Sequence, residues 1–475
     1  MKTIFFVVST LALFVMTACK DPSDGTGSGT GTLPEAPFVE GGVSFILSPD
    51  KLDIEITVTS VDGSAVSVEG CKETTITSGA YTQLHVTGTA IKLTGKITEL
   101  NCSWNQLPAL NVQGLNDLQT LQCDGNQFET LDAHGLRALK SLSCKNNKLS
   151  ALNVQGCISL QTLVCYGNLL AALNLQGLIS LQNLRCFDNR LTVLSLQGCT
   201  ALESLECNDN RLTALNVQGL AALQVLECRN NELTALNLRG MTALQGLWCG
   251  GNKLTALDVQ SLTALQTLRC NGNLFTELDV HGLKTLQNLS CKNNKLFALN
   301  VQDCTALEEL ECDANQLTEL KVQGLRALQT LRCYDNRLTS LDVHGLRALK
   351  ELECNDNLLT ALNAQSCTAL EELHCRKNQL IVLNVQGCTA LRGLDCWSNK
   401  LDAQAFTKLF GDLPARTGYA YCYLYTDEKG VSEGNCKDFT SASAPVELKR
   451  AFEKVKNEKK WTMYKIRADK IMVEI

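Results

Sequence analysis

Apolar residues recur along this chain at a fixed spacing of 21. Between Leu202 and Leu223 they stand at Leu202, Leu205, Cys207, Leu212, Leu215, Val217, Leu220 and Leu223, with polar residues, alanine and glycine between them. Within Ser204-Leu205-Glu206-Cys207-Asn208 apolar and polar side chains alternate, the period of a short strand that buries one face. One such strand per repeat predicts a long parallel sheet. The chain then turns at Asn210, whose side-chain amide is expected to bond backbone groups of its own loop and the next, as buried polar groups must. It comes back through Leu215 and Val217, turns at Gly219 and returns through Leu220 and Leu223. A unit this short leaves no room for a long helix, so extended pieces and single 3₁₀ turns are predicted on the return path. No coil can bury its apolar side alone, and stacking supplies the core.

Fifteen cysteines, from Cys102 to Cys396, keep this register without an insertion, and an asparagine stands three residues after each, from Asn105 to Asn399. The unit L-x-x-L-x-C-x-x-N-x-L resembles the leucine-rich repeat family, and its fixed cysteine is most similar to the cysteine-ladder repeats of internalin J-like bacterial surface proteins. The resemblance covers residues 99–401, fifteen units of 21. It implies a leucine-rich-repeat solenoid with a parallel β-sheet on one face, and a role in adhesion or host interaction. The physical reading of the column is separate. A thiol is a small, polarizable hydrophobe suited to a narrow inward position. Disulfides along the ladder are disfavoured, because in-register strands hold successive Cβ atoms about 4.8 Å apart whereas a bridge prefers ~3.8 Å. Zinc is disfavoured too, since a column of single sulfurs offers no tetrahedral site. A second column, Cys157, Cys199, Cys304, Cys367 and Cys388, takes the place of Leu220 as further core filler. These thiols are expected to resist labelling until the chain unfolds.

The ends break the pattern. Residues 1–18 have the basic start, apolar run and small residues of an export signal. Met16-Thr17-Ala18-Cys19 resembles a bacterial lipobox, with methionine where leucine is usual, which implies that Cys19 is acylated and anchors the chain in a membrane. Residues 19–42, rich in Gly, Ser, Thr and Pro, read as a flexible tether. Residues 43–98 alternate Val, Ile and Thr with polar residues and predict a β-rich N-terminal cap, whose last strand from Ile97 to Leu100 leads into the first coil. Residues 402–475 predict a small α/β C-terminal cap. AQAFTKLFGDLPAR reads as a helix stopped near Pro414, and GYAYCYLY as a strand. Pro445 opens a second helix that places Leu448, Ala451, Phe452 and Val455 on one face, and WTMYKI and KIMVEI read as strands. Cys422 and Cys436 lie outside the ladder; a bridge and two free thiols are both open readings. Cys71 receives no role.

Composition narrows the function. The 475 residues carry a formal charge of -6 with cations and acids interspersed, so no basic face exists for nucleic acid. The sequence holds no G-x-S-x-G, H-E-x-x-H, phosphate loop or glycine-rich nucleotide motif, and predicts neither enzyme nor cofactor. His134, His281 and His344 sit on turns too far apart to share a metal. Comparing repeats, the inward columns barely change, whereas the outward positions beside each ladder cysteine vary and collect aromatic and arginine residues. Tyr166, Arg185, Phe187, Arg229, Trp248, Arg269, Arg332, Tyr334, His374, Arg376 and Trp397 form the candidate ligand-binding face. Tyr166, Phe187, Trp248 and Tyr334 are expected to stand exposed on the sheet. The expected partner is a protein or glycoprotein, met at the bacterial outer membrane or cell surface by a lipid-anchored chain. The alternative is a structural lipoprotein of the envelope that faces the periplasm.

Overall fold

The computed structural model describes residues 35–49, 51 and 53–475. The export signal, Cys19 and most of the tether lie outside the described residues. The tether ends earlier than its composition predicts. Ala36 is already buried, and the Asn111 side-chain amide donates to its carbonyl at 3.0 Å.

From Ile97–Asn101 to Gly393–Asp395 the chain forms a parallel β-solenoid of about 14 turns, each coil contributing one strand to a continuous sheet. Ser204–Glu206 lies between Asn183–Arg185 and Val225–Glu227, with Leu205 opposite Leu184 and Leu226. Constant repeat length keeps each strand in register with the next, and a residue inserted within a strand would send the side chains after it in that strand to the other face. Cys207 N–H donates to Glu227 O at 2.8 Å, extending the pairing beyond the strand. All fifteen ladder cysteines are fully buried and free, as are the five of the second column apart from a trace of exposure at Cys388. Burial pushes the thiols of Cys165 and Cys249 up to about 12, so these stay protonated and inert.

Asn210 closes the turn after the strand. Its Nδ2 donates to Cys207 O at 3.2 Å in its own loop and to Cys186 O at 3.0 Å one coil earlier, while its Oδ1 accepts from Leu191 N–H at 2.9 Å. The amide therefore reaches back to the preceding coil and not forward to the next. The residue before it adopts the left-handed conformation in every coil, as at Asp209 (φ 55), Asn230 (φ 52) and Gly251 (φ 66), and this column is dominated by the Gly, Asn and Asp that tolerate it. The return path contains short extended pieces, some paired between adjacent coils, such as Ala172–Asn174 with Val193–Ser195. No 3₁₀ helix forms there among the described residues. Isolated bonds such as Leu223 N–H to Leu220 O make single turns, and the next donor, Gln224 N–H, is taken by Glu203 O of the preceding coil.

Both ends are closed by antiparallel strands or helices. In the N-terminal cap Asp53–Ser60 pairs with Ile97–Asn101 on the sheet side, and Gly42–Ile46 pairs with Ala109–Asn111 on the return side. Val43, Phe45, Ile54, Ile56, Ile91 and Leu93 are buried in its core. At the far end Tyr421–Thr426 adds a parallel strand to Gly393–Asp395, followed by Thr462–Ile466 in parallel and Met472–Glu474 antiparallel. Helix α1 (Ala403–Asp412) is capped by Asp402, whose Oδ1 accepts from Ala405 N–H at 2.8 Å, and α2 (Val446–Asn457) follows Pro445. Phe406, Phe410, Phe439 and Phe452 pack together between them.

The bridge between Cys422 and Cys436 that the sequence leaves open is not formed. Cys422 lies in the inward row opposite Leu394 and against Cys396, whereas Cys436 hangs its N–H on Leu401 O. Cys71 is free and half-buried beside Val86 at the edge of the cap.

Candidate binding face

Alternation along each strand sends the residues flanking a ladder cysteine to the outside of the sheet, where neighbours one coil apart are separated by about 4.8 Å. Side chains 21 residues apart therefore touch. Tyr166 and Phe187 stack with ring centroids 4.2 Å apart and planes 12° from parallel. The Arg185 guanidinium stands 5.5 Å from both ring centres and its Nε bonds Glu206 at 2.9 Å, while Lys145 Nζ lies 5.6 Å from the Tyr166 ring. Two rings and two cations thus form one patch from four residues spread over 43 positions of sequence.

The other candidates are placed differently. Arg229 is exposed and pairs with Glu227 at 2.7 Å, and Arg269 is exposed without a carboxylate partner among the described residues. Trp248 lies flat over Gly246 of its own strand, where a Cβ would collide with the indole. Arg332 is held by Glu311, Glu351 and Glu353 at 3.0 to 3.1 Å. Burial and the Asp313 carboxylate push the Tyr334 hydroxyl up to about 12. His374 Nδ1 is 3.8 Å from Asp395, whose carboxylate also takes Arg376 at 2.9 Å. Asp395 holds the imidazole above its ordinary value against the opposing effect of burial.

Two expectations need correction. Tyr166, Phe187, Trp248 and Tyr334 are half-buried, because on a flat sheet each ring lies down on a neighbouring coil or on glycine. Trp397 is 7% exposed and does not belong to the open face. The cap segment 432–435 crosses its turn: Ser398 N–H donates to Glu433 at 2.8 Å and Ser398 Oγ to Ser432 O at 2.6 Å. His134, His281 and His344 are exposed turn residues.

Among solved structures, the functional domain of InlJ from Listeria monocytogenes, which includes a cysteine ladder, is 27% identical to this chain with a TM-score of 0.52, covering 70% of this chain and 74% of that one. The fold is a leucine-rich-repeat solenoid. A leucine-rich-repeat protein from Leptospira interrogans is 26% identical with a TM-score of 0.52, over 66% of this chain and 93% of its own. A TDR receptor, 18% identical with a TM-score of 0.52 over 72% of this chain and 77% of its own, shares the fold alone. No protein-family model and no curated protein matches the sequence.

The leucine-rich-repeat face also extends beyond the repeats. Tyr421 and Tyr423 stand in register with the outward residues Gly393 and Asp395, and Tyr464 is the next step after Tyr423. With Tyr419 they form a continuous row, centroids 5.8, 5.1 and 5.5 Å apart. Tyr421 OH donates to Glu372 at 2.8 Å across Gly393, where any Cβ would strike that carboxylate. The signal was present in the alternation of Tyr419, Tyr421 and Tyr423 with Ala420, Cys422 and Leu424. Trp104, 65% exposed in the turn of the first coil, carried no such signal because it precedes its asparagine where most other coils hold Gly, Asn or Asp.

Proposed function

We propose that this chain is a non-enzymatic, lipid-anchored cell-surface protein that recognises a protein or glycoprotein along the outer face of its sheet, in adhesion or host interaction. The observation that carries the reading is the patch of Tyr166 and Phe187 with Arg185 and Lys145 over their rings. Rings and guanidinium groups supply much contact energy per ordered side chain, and here they are positioned before any partner arrives. The neighbouring cysteine-ladder and leucine-rich-repeat structures support a binding role. Acylation at Cys19 would hold the solenoid at a membrane.

Protease shaving of intact cells, followed by an immunoblot against residues 402–475, tests the location. The protein is expected to disappear while a periplasmic control survives. Survival until the envelope is opened would overturn the surface reading and favour a structural protein facing the periplasm.

A further inference from the structure

Charge is not evenly distributed along the outer face. Toward the amino-terminal end acids and bases pair one to one, Arg185 with Glu206 at 2.9 Å and Arg229 with Glu227 at 2.7 Å. Further along, four carboxylates, Glu309, Glu311, Glu351 and Glu353, surround the single guanidinium of Arg332 at 4.0, 3.0, 3.1 and 3.0 Å. Among the described residues one other full cation pairs with this ring, Lys292 at 3.1 Å from Glu311, and the His374 imidazole stands opposite Glu353 on the next strand. Four negative charges thus meet two positive ones. Burial and the neighbouring Glu351 carboxylate hold the Glu353 carboxyl above the usual range, which marks the crowding.

A second observation is independent of charge. Asn355, two residues beyond Glu353 on the outward side, is 3% exposed and its Oδ1 has no partner among the described residues. Asp395, two coils after Glu353, is 5% exposed and its Oδ1 is likewise unpartnered. Buried acceptors normally find donors, so donors are short on this stretch of face, although Arg376 holds the other oxygen of Asp395 at 2.9 Å. Beyond Asp395 the face continues as the row of Tyr421, Tyr423 and Tyr464. A lysine or arginine side chain supplies charge and donors together, and packs against aromatic rings. A divalent ion suits the ring poorly, because the Arg332 guanidinium already occupies its middle.

We infer that the face from Glu311 to Tyr464 docks an extended protein segment carrying several lysine or arginine side chains. The inference deepens the protein-binding reading above and rests on it. From Glu309–Glu311 to Thr462–Ile466 the sheet crosses six strand spacings, roughly 29 Å, the length of about nine extended residues.

Fluorescence anisotropy with the full chain tests it, using a labelled peptide of alternating lysine and serine, ten residues long, and a glutamate–serine counterpart. The lysine peptide is expected to bind saturably, and to lose about tenfold in affinity in the variant E311Q/E351Q/E353Q, at roughly half a kcal/mol for each charge. The matched pair E206Q/E227Q, at the other end of the face, is expected to change affinity less than about twofold. Unfolding midpoints are read in parallel. Should the triple variant unfold early, Glu353→Gln alone is expected to weaken binding about twofold to threefold. Absence of binding, equal losses from both sets of variants, or equal binding of the glutamate peptide would overturn the inference. If that happens while loss of Tyr166 and Phe187 still abolishes partner binding, the broader reading stands and the partner is not cationic.

Discussion

At the scale of single residues, the solenoid depends on one buried asparagine per coil as well as on its leucines. Asn252 donates to Cys249 O at 3.0 Å and Cys228 O at 3.0 Å, and accepts from Leu233 N–H at 3.0 Å, all in a buried turn. Asn252→Ala would strip partners from a backbone donor and two carbonyls that water cannot reach. Denaturant titration is expected to show a loss of roughly 2–4 kcal/mol, and a loss within error would show that the amide is not structural. The asparagine's function was legible in the sequence because a polar residue fixed among apolar columns must find backbone partners. Its direction was not, since the handedness of the coil decides which neighbour lies within reach. The left-handed residue before it was equally hidden: Ala314 (φ 53) and Lys377 (φ 50) adopt the conformation without a side chain that announces it.

At the scale of elements, three-residue strands have no stability of their own, and the ends of the stack are where the fold must be closed. Both caps imitate a missing coil. Asn105 exchanges hydrogen bonds with Glu55 of the N-terminal cap at 2.8 and 2.7 Å, where other coils use the preceding repeat. At the other end Asn435 donates to Cys396 O at 2.9 Å and accepts from Leu401 N–H at 2.8 Å, acting as one further member of the asparagine column. Truncation after Leu401 would uncover the edge of Gly393–Asp395 and the apolar end of the last coil. The shortened chain is expected to elute as aggregates in size-exclusion chromatography, and a monomeric, cooperatively folded product would contradict a closing role for residues 402–475. The two cap helices were readable from Pro445 and from local apolar spacing. The substitution of Asn435 was not, because it depends on contacts across 34 positions of sequence.

At the scale of the whole molecule, the 21-residue period separates two tasks. Inward columns of leucine, cysteine and asparagine make a scaffold that is nearly identical from coil to coil, and outward columns are free to differ. The sequence revealed which residues register sends outward, since that follows from period alone, but not that the cap covers Trp397. It did not reveal how they lie there, because stacking of Tyr166 on Phe187 and the collapse of Trp248 onto Gly246 depend on side-chain packing across coils. Binding and stability are therefore expected to change independently. The direct test is the affinity of the wild-type chain's partner for the variant Tyr166→Ser with Phe187→Ser, measured by surface plasmon resonance alongside the unfolding midpoint. Affinity is expected to fall about tenfold or more with the midpoint unchanged, as for loss of central aromatic contacts. Unchanged affinity, or a loss that appears only with a lowered midpoint, would contradict the account.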